Sequence, residues 1–462
     1  MRYCSVVRIG ELRLALALDS CGKALPVSRP SAIRTTEAAT QAGRENARDS
    51  KWDGVYLKTI LGLALATRFA IVADVLLNLP HGWFFRSQGE LGFLAQSLLA
   101  GHGFSSPFGG STGSTAFLAP GYPVLIAAIF HLFGSFTTSS AAAIMLLQTL
   151  FCVLTILLLV QIALQEFGPA CANLAGFFWA IGLPFLWLPA IFWETSLTIL
   201  LLTCSLALAL WCVRSDRSTP WILMGLCGGI TLLVNPSFSL VLLALYCWTV
   251  ARSRASSRPG PAIAFAIALL LFAPWPVRNA RVLHAFIPLR SNLGFELWKG
   301  NRPGATSIDD AKLYPVFNRP EYDSYSSKGE VAFMRDKSTA AKQYIRAHPA
   351  TFARLSAERF VRYWTGTGAT DPSILLASFA VLTTLLALPG LWWLVKAGRG
   401  DLAVLFSLPL LLFPLPYYVT HCELRFRLVI EPVTTLLSAY AIVHAFHLLL
   451  RRVWIRRRSN GR

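Results

Sequence analysis

Charged residues are scarce in this sequence, and acidic residues are scarcer than basic ones. Only 14% of the 462 residues are charged, whereas a soluble domain carries roughly 25%. Hydrophobic residues make up 55% of the chain. This composition excludes an ordinary soluble protein and predicts an all-α chain embedded in a membrane.

The sequence also lacks the short motifs of nucleotide-driven and hydrolytic enzymes. It has no CxxC pair, and no GxGxxG, P-loop, GxSxG or HExxH pattern stands where it would act. Most of the nine cysteines lie in or beside apolar segments, which predicts small buried side chains. These absences argue against ATP-driven transport and against the familiar hydrolases.

The net charge of +19 raises the question of nucleic-acid binding. The Lys and Arg residues, however, stand in short clusters between apolar runs, and no basic domain interleaved with aromatic residues is present. Such clusters are typical of the positive-inside signal that orients membrane helices. We therefore expect membrane lipids, and no nucleic acid, among the partners.

Apolar runs long enough, or nearly long enough, to cross a bilayer recur along the chain. We predict about ten transmembrane helices, in the runs 57–79, 140–164, 170–192, 195–213, 220–234, 237–251, 261–277, 372–395, 402–419 and 428–450. The run 124–133 is too short to span and is expected to lie along the interface.

The basic clusters orient these helices. If alternate connections face the cytoplasm, four of them agree with the positive-inside rule: Arg214 with Arg217, the arginines at 252–258, Lys396 with Arg399, and the tail. Two long segments then lie outside. The predicted domains are a disordered basic cytosolic extension (1–55), an N-terminal transmembrane module (56–278) with a first external loop (80–123), an external subdomain (279–371), C-terminal transmembrane helices (372–450) and a basic cytosolic tail (451–462).

The first external loop is the most informative of these segments. Loops of this length are uncommon and are usually functional or disordered, and this one is too rich in Phe, Leu and Tyr for a solvated linker. Glu90 opens a short helical run in it. Taken alone, Glu90 reads as a carboxylate that stabilises a helix N-terminus, and Glu194 in FWETSL has the same simple explanation.

Two carboxylates and several arginines are nevertheless predicted on one external face. Arginine suits bidentate binding of phosphate, and a carboxylate can deprotonate an attacking hydroxyl. The alternative is that the arginines extend to lipid headgroups. The candidate catalytic residues are Glu90 and Glu194, and the candidate substrate or phosphate ligands are Arg278, Arg290, Arg425, Arg427, His102 and Tyr122. No spacing supports a dedicated metal site, although a loosely held divalent cation stays open.

The ordered set of motifs resembles the GT-C membrane glycosyltransferases, in particular bacterial members related to protein O-mannosyltransferases and to aminoarabinose transferases. The segments that carry the resemblance span residues 57–450: Glu90, LLAGHGF (98–104), APGYP (119–123), HLFG (131–134), QEFG (165–168), FWETSL (192–197), PWPVRN (274–279), LRSNLGFELWKGN (289–301) and YIRAHP (344–349).

The resemblance implies transfer of a sugar from a polyprenyl-phosphate donor to a hydroxyl acceptor, usually with inversion. Glu90 would then be the base and Glu194 would assist. The family commonly has Asp in the first loop, so Glu90 is a departure. The acceptor stays open between glycan, lipid and protein, and the expected location is the inner membrane with the site facing the periplasm. A secondary transporter is the alternative, although no internal repeat supports it; a non-catalytic assembly protein is another.

Overall fold

A computed structural model describes residues 52–86, 89–254, 259–368 and 373–459. Nearly all of the predicted N-terminal extension lies outside these residues, as do the last three residues of the predicted tail. Within the described part, every regular element is helical and strand pairing is limited to two isolated bridges. The prediction of an all-α membrane protein is confirmed.

The helices are numbered here in chain order. They are α1 (Leu57–Asn78), α2 (Gly89–Leu99), α3 (Gly121–Phe133), α4 (Thr138–Phe167), α5 (Pro169–Ile181), α6 (Leu183–Leu186), α7 (Thr195–Arg214), α8 (Thr219–Val234), α9 (Ser239–Arg252), α10 (Pro259–Phe272), α11 (Pro274–Leu283), α12 (Leu293–Gly300), α13 (Arg319–Lys328), α14 (Glu330–Ala347), α15 (Pro349–Thr365), α16 (Ile374–Lys396), α17 (Gly400–Leu412), α18 (Leu415–Val419), α19 (Leu424–Leu428) and α20 (Glu431–Ser459). Short 3₁₀ turns occupy Trp83–Phe85, Leu188–Ala190, Pro236–Phe238 and Ala311–Leu313.

Seven helical segments of the described chain are long and apolar enough to cross a membrane. They are Leu57–Asn78, Thr138–Phe167, Thr195–Arg214, Pro259–Leu283, Ile374–Lys396, Gly400–Val419 and Glu431–Arg452. Three other predicted spans correspond to the shorter apolar helices α5, α8 and α9, so the number ten stays a prediction. The run expected to be too short to span is α3, of 13 residues.

Close helix packing depends on small residues. A Cβ atom added to Gly225 of α8 would lie 2.5 Å from the carbonyl oxygen of Ala264 of α10, so only glycine permits this approach. At the end of α5, the buried Arg68 of α1 donates to the carbonyl oxygens of Trp179 (2.6 Å) and Ala180 (2.9 Å). These carbonyls have no partner within their own helix, so Arg68 caps it.

Basic residues gather where α4, α7, α9 and α17 meet at one end of the bundle. Glu166, near the end of α4, pairs with Arg214 at the end of α7 and with Arg399 just before α17, the latter at 2.7 Å. Arg252 at the end of α9 pairs with Asp401. The connections predicted to be cytoplasmic are therefore held together by ion pairs at this end.

The first loop folds as a hairpin against the segment predicted to be an external subdomain (279–371). The backbone of Ser106 donates to Gly113, and that of Thr115 donates to Phe104. Glu330, at the start of α14 and buried, accepts from the amide of Ala116 at 2.7 Å and from the hydroxyl of Tyr325 at 2.7 Å. The loop is thus held in one place rather than left free.

Candidate active site

A cavity of about 350 Å³ lies at the end of α7 opposite Arg214. Its volume lies within the range of small-molecule sites, about 300–1,000 Å³. Its walls come from the first loop and from the three short turns predicted to be external, at Trp193–Glu194, Asn235–Pro236 and His421–Arg427. Segments far apart in the sequence therefore share one cavity.

Glu90 lies in the cavity wall in the first turn of α2. Its residue is 6% exposed, and burial raises the pKa of its carboxyl group to about 7. Among the described residues it forms no ion pair, although Lys299 and Arg425 lie close enough to act on its charge. Glu90 is thus a buried carboxyl group without a bound cation, and its pKa lies near neutral pH.

Glu194, the residue preceding α7, lines the same cavity and is paired. Its Oε1 accepts from Nη2 of Arg290 at 3.1 Å, and Arg290 also donates to the carbonyl oxygen of Val234. Both side chains are largely buried. The pair fixes the guanidinium of Arg290 against the cavity, so two of the predicted site residues are in direct contact.

Arg425 of α19 also lines the cavity and forms a fork with Glu423. Burial opposes ionisation of Glu423, but Arg425 and the His421 ring outweigh it and hold the pKa of that carboxyl well below its usual range. The guanidinium lies 4.6 Å from the centre of the Trp193 ring. Its Nη1 has no hydrogen-bond partner among the described residues, so one buried donor stays available to a ligand.

The other four candidate residues lie outside the cavity wall. Arg278 donates to the carbonyl oxygens of Thr115 (2.7 Å) and Phe104 (2.8 Å), so it holds the first loop. Arg427 is buried and pairs with Glu431 at 3.0 Å. His102 is exposed on the first loop, and Tyr122 is buried among apolar side chains.

Residues that were not among the candidates also lie at the cavity. Glu296 of α12 and Tyr314 line it, and the buried Lys299 joins Glu296 at 2.9 Å. The i,i+3 spacing of Glu296 and Lys299 in an apolar segment was an available signal. Tyr314 lies in a connection without a pattern, so nothing in the local sequence marks it.

Part of the sequence and the fold of this chain are similar to those of known proteins. Residues 118–277, less than half of the chain, match the family model described as dolichyl-phosphate-mannose-protein mannosyltransferase. In fold, the chain is similar to the oligosaccharyltransferase AglB of Archaeoglobus fulgidus in its apo form, with a TM-score of 0.51 and 15% identity over 86% of this chain. Part of this chain is therefore similar to a mannosyltransferase family, and its fold is similar to that of an oligosaccharyltransferase.

AglB in complex with an inhibitory peptide and a dolichol-phosphate matches with a TM-score of 0.50 and 14% identity, over 87% of this chain and 52% of that one. This chain spans about half the length of AglB (51% in the apo form). ArnT of Cupriavidus metallidurans bound to undecaprenyl phosphate matches with a TM-score of only 0.38 and 16% identity, over 82% of this chain and 77% of that one. The fold assignment does not depend on ArnT. No curated protein sequence matches.

Proposed function

We propose that this protein transfers a sugar from a polyprenyl-phosphate donor to a hydroxyl group of a glycan, lipid or protein acceptor. A family model and a solved structure support the class of donor. The matching family model is named for a dolichyl-phosphate sugar, and an AglB structure contains a dolichol-phosphate. The cavity carries the second line of support, because it offers both a free carboxylate and arginines to such a substrate.

The single observation that carries the proposal is the state of Glu90. A general base works best when its pKa lies near the working pH, and Glu90 combines a pKa of about 7 with a position on the cavity wall. In the proposed reaction Glu90 takes the proton of the acceptor hydroxyl. The acceptor oxygen attacks the anomeric carbon, and the carbon–oxygen bond to phosphate breaks with its electron pair leaving on the phosphate.

The departing phosphate is assigned to Arg425 and Arg290. Arg425 has a buried Nη1 donor without a protein partner, and a charge-assisted bond to phosphate would satisfy it. Arg290 is oriented by its pair with Glu194. Glu194 is therefore proposed to assist by fixing Arg290, whereas Glu90 carries out the proton transfer.

We propose that the cavity faces the exterior, which for an inner-membrane protein is the periplasm. The ion-paired basic end and the cavity lie at opposite ends of α7. A helix of 20 residues is about 30 Å long, the thickness of a bilayer core. If the basic end is cytoplasmic, as the positive-inside rule requires, the cavity opens outside.

The test is transfer of radiolabelled sugar from a polyprenyl-phosphate donor to an acceptor extract by the reconstituted full-length chain. Glu90→Gln is expected to lower the rate by about 10²–10⁴-fold, the usual contribution of base catalysis. The matched control is Glu358→Gln, which alters a carboxylate on the surface of α15 that pairs with Arg354. Undiminished transfer in Glu90→Gln would exclude Glu90 as the base, and solute uptake without transfer would favour a transporter.

A further inference from the structure

A second group of polar side chains lies at the edge of the cavity, where the connection before α13 meets the connection before α19. Asp309, His421 and Glu423 each offer one ligand atom, and these three atoms lie within 4.8 Å of one another. The Nε2 atom of His421 is 3.7 Å from Oδ1 of Asp309 and 3.4 Å from Oε1 of Glu423.

The two separations from His421 are close to the spacing of two ligands on one ion. Two ligands each about 2.1 Å from a tetrahedral ion are about 3.4 Å apart, whereas a charge-assisted hydrogen bond is about 2.7–2.9 Å long. The His421 residue is 5% exposed, and neither of its ring nitrogens has a hydrogen-bond partner in the described chain. The Nδ1 atom lies 3.4 Å from Oε2 of Glu296. A buried imidazole that faces carboxylates on both nitrogens without a hydrogen bond indicates a missing ligand.

The backbone holds the two connections together at this point. Cys422 donates its amide to the carbonyl oxygen of Ser307 at 3.2 Å, in an isolated parallel bridge between Ile308 and Cys422. A Cβ atom on Gly300 would lie 1.7 Å from the carbonyl oxygen of Thr420, so the end of α12 packs directly on the chain that carries His421. The three candidate ligands are therefore positioned by main chain as well as by side chains.

Both carboxylates are also oriented by cations, which bind the same oxygen atoms that lie nearest His421. Lys299 donates to Asp309 at 2.8 Å, and Arg425 grips Glu423. Carboxylates that bind a metal are usually hydrogen-bonded as well, and each of these oxygen atoms keeps a second lone pair for an ion. With Glu296 included, three carboxylates face two cations, which leaves one negative charge for a further cation to neutralise.

We propose that Asp309, His421 and Glu423 bind one divalent transition-metal cation, with zinc as the probe. One imidazole and two carboxylates form a nitrogen–oxygen ligand set that suits zinc. His421 also lines the cavity, so an open coordination position can face a ligand there. The site stands independently of the proposed transfer reaction, because it rests on its own three side chains.

The test measures zinc binding directly. The full-length chain, purified in detergent without a histidine tag and stripped with a chelator, is titrated with zinc by calorimetry, and metal content is measured after gel filtration. We expect one tight zinc per chain and a rise in thermal midpoint with zinc concentration, because binding to the folded state stabilises it. X-ray absorption should report one imidazole with oxygen ligands.

Loss of a residue that only hydrogen-bonds to a metal ligand weakens metal binding by about 10–100-fold. We expect a larger loss of zinc affinity in His421→Gln, Asp309→Asn and Glu423→Gln, because each of them removes a ligand. His348→Gln, at an exposed histidine, and Glu358→Gln are the matched controls and should bind zinc normally. If one variant misfolds, the other two variants and the absorption spectrum of the parent protein still test whether these residues bind zinc. Absence of tight zinc in the parent protein, or full retention in the variants, would overturn the proposal and favour a protonated His421 among carboxylates.

Discussion

Glu90 differs from the other carboxylates around the cavity in having no cation bound to it. Glu194 is held by Arg290, Glu296 by Lys299 and Glu423 by Arg425. A neighbouring cation favours the ionised form of a carboxyl group, as at Glu423, whereas burial without such a cation favours the neutral form. Burial therefore dominates at Glu90 and raises its pKa to about 7. A carboxyl group in this state can exchange protons at neutral pH.

We expect the transfer rate to depend on this proton. Only the ionised carboxylate can accept a proton from the acceptor hydroxyl, so the rate should fall as the pH drops below about 7. The measurement is the rate under saturating donor and acceptor between pH 5 and 9. Glu90→Gln should have a flat residual profile on the acidic side. A parent profile that stays level from pH 5 to 8 would contradict the assignment.

Stability should respond in the opposite direction. The folded-state pKa of Glu90, about 7, lies above the ordinary value of 4.5, so this carboxyl supports folding fully below about pH 4.5. The support is lost as the pH rises through about 7. At pH 8 Glu90→Gln should therefore have a thermal midpoint at or above that of the parent protein. A clearly lower midpoint at pH 8 would indicate a structural role instead.

Arg425 and Arg427 stand two residues apart but have different roles, because Arg425 lines the cavity and Arg427 pairs with Glu431. Arg427 and Glu431 are both about 1% exposed and pair with each other, with Thr384 also accepting from Arg427. Arg427→Ala would leave Glu431 buried without its cation, which typically costs about 3–5 kcal/mol. We expect a large fall in thermal midpoint, measured by gel filtration after heating. Arg425→Lys should stay folded and lose mainly its sugar-transfer activity. The reverse pattern would assign the structural role to Arg425 and the role in transfer to Arg427.

At the scale of elements, the first loop is positioned by groups outside it. Arg278 of α11 binds two of its carbonyl oxygens, and Glu330 of α14 binds the amide of Ala116. The next two residues, Phe117 and Leu118, line the cavity. The segment predicted to be an external subdomain (279–371) therefore contacts the cavity wall through this loop as well as through its own residues Glu296 and Tyr314, although Glu330 itself does not line the cavity.

Loss of the Glu330 carboxylate should loosen that loop. Glu330→Ala leaves the amide of Ala116 and the hydroxyl of Tyr325 buried without their acceptor, at about 1–3 kcal/mol for each group. We expect faster proteolysis within residues 100–118 and slower transfer, with part of the rate restored in Glu330→Gln, which keeps one acceptor oxygen. Glu358→Gln should change neither quantity. Unaltered proteolysis together with unaltered transfer would exclude this positioning role.

The helices and turns could be predicted from the sequence because their signals are local. Apolar runs indicate spans, and the break at His348–Pro349 separates α14 from α15 as the proline requires. Roles within the site are not local. Arg278 and Arg427 look like Arg290 and Arg425 in the sequence, yet their partners are loop carbonyls and a membrane-helix carboxylate. The Asp309–His421 proximity likewise depends on a bridge between connections over a hundred residues apart.

At the scale of the whole molecule, charge is divided between two ends. One end carries Arg214, Arg252 and Arg399 in ion pairs that join four helices. The other end carries the cavity, the first loop and the subdomain. Because a donor of this class is anchored in the bilayer by its tail, a cavity at a helix end allows its phosphate to enter while its chain stays in lipid.

This division predicts which residues can be reached from outside an intact cell. Cysteine placed at His102, exposed on the first loop, should react with a membrane-impermeant maleimide, whereas cysteine at Arg217, exposed beyond α7, should react only after permeabilisation. The variants are made in a background without other cysteines that retains transfer. Labelling of Arg217→Cys but not His102→Cys in intact cells would show that the protein has the opposite orientation in the membrane. Glu90 would then face the cytoplasm, where nucleotide-activated sugars occur, and the reason for a lipid-borne donor would be lost.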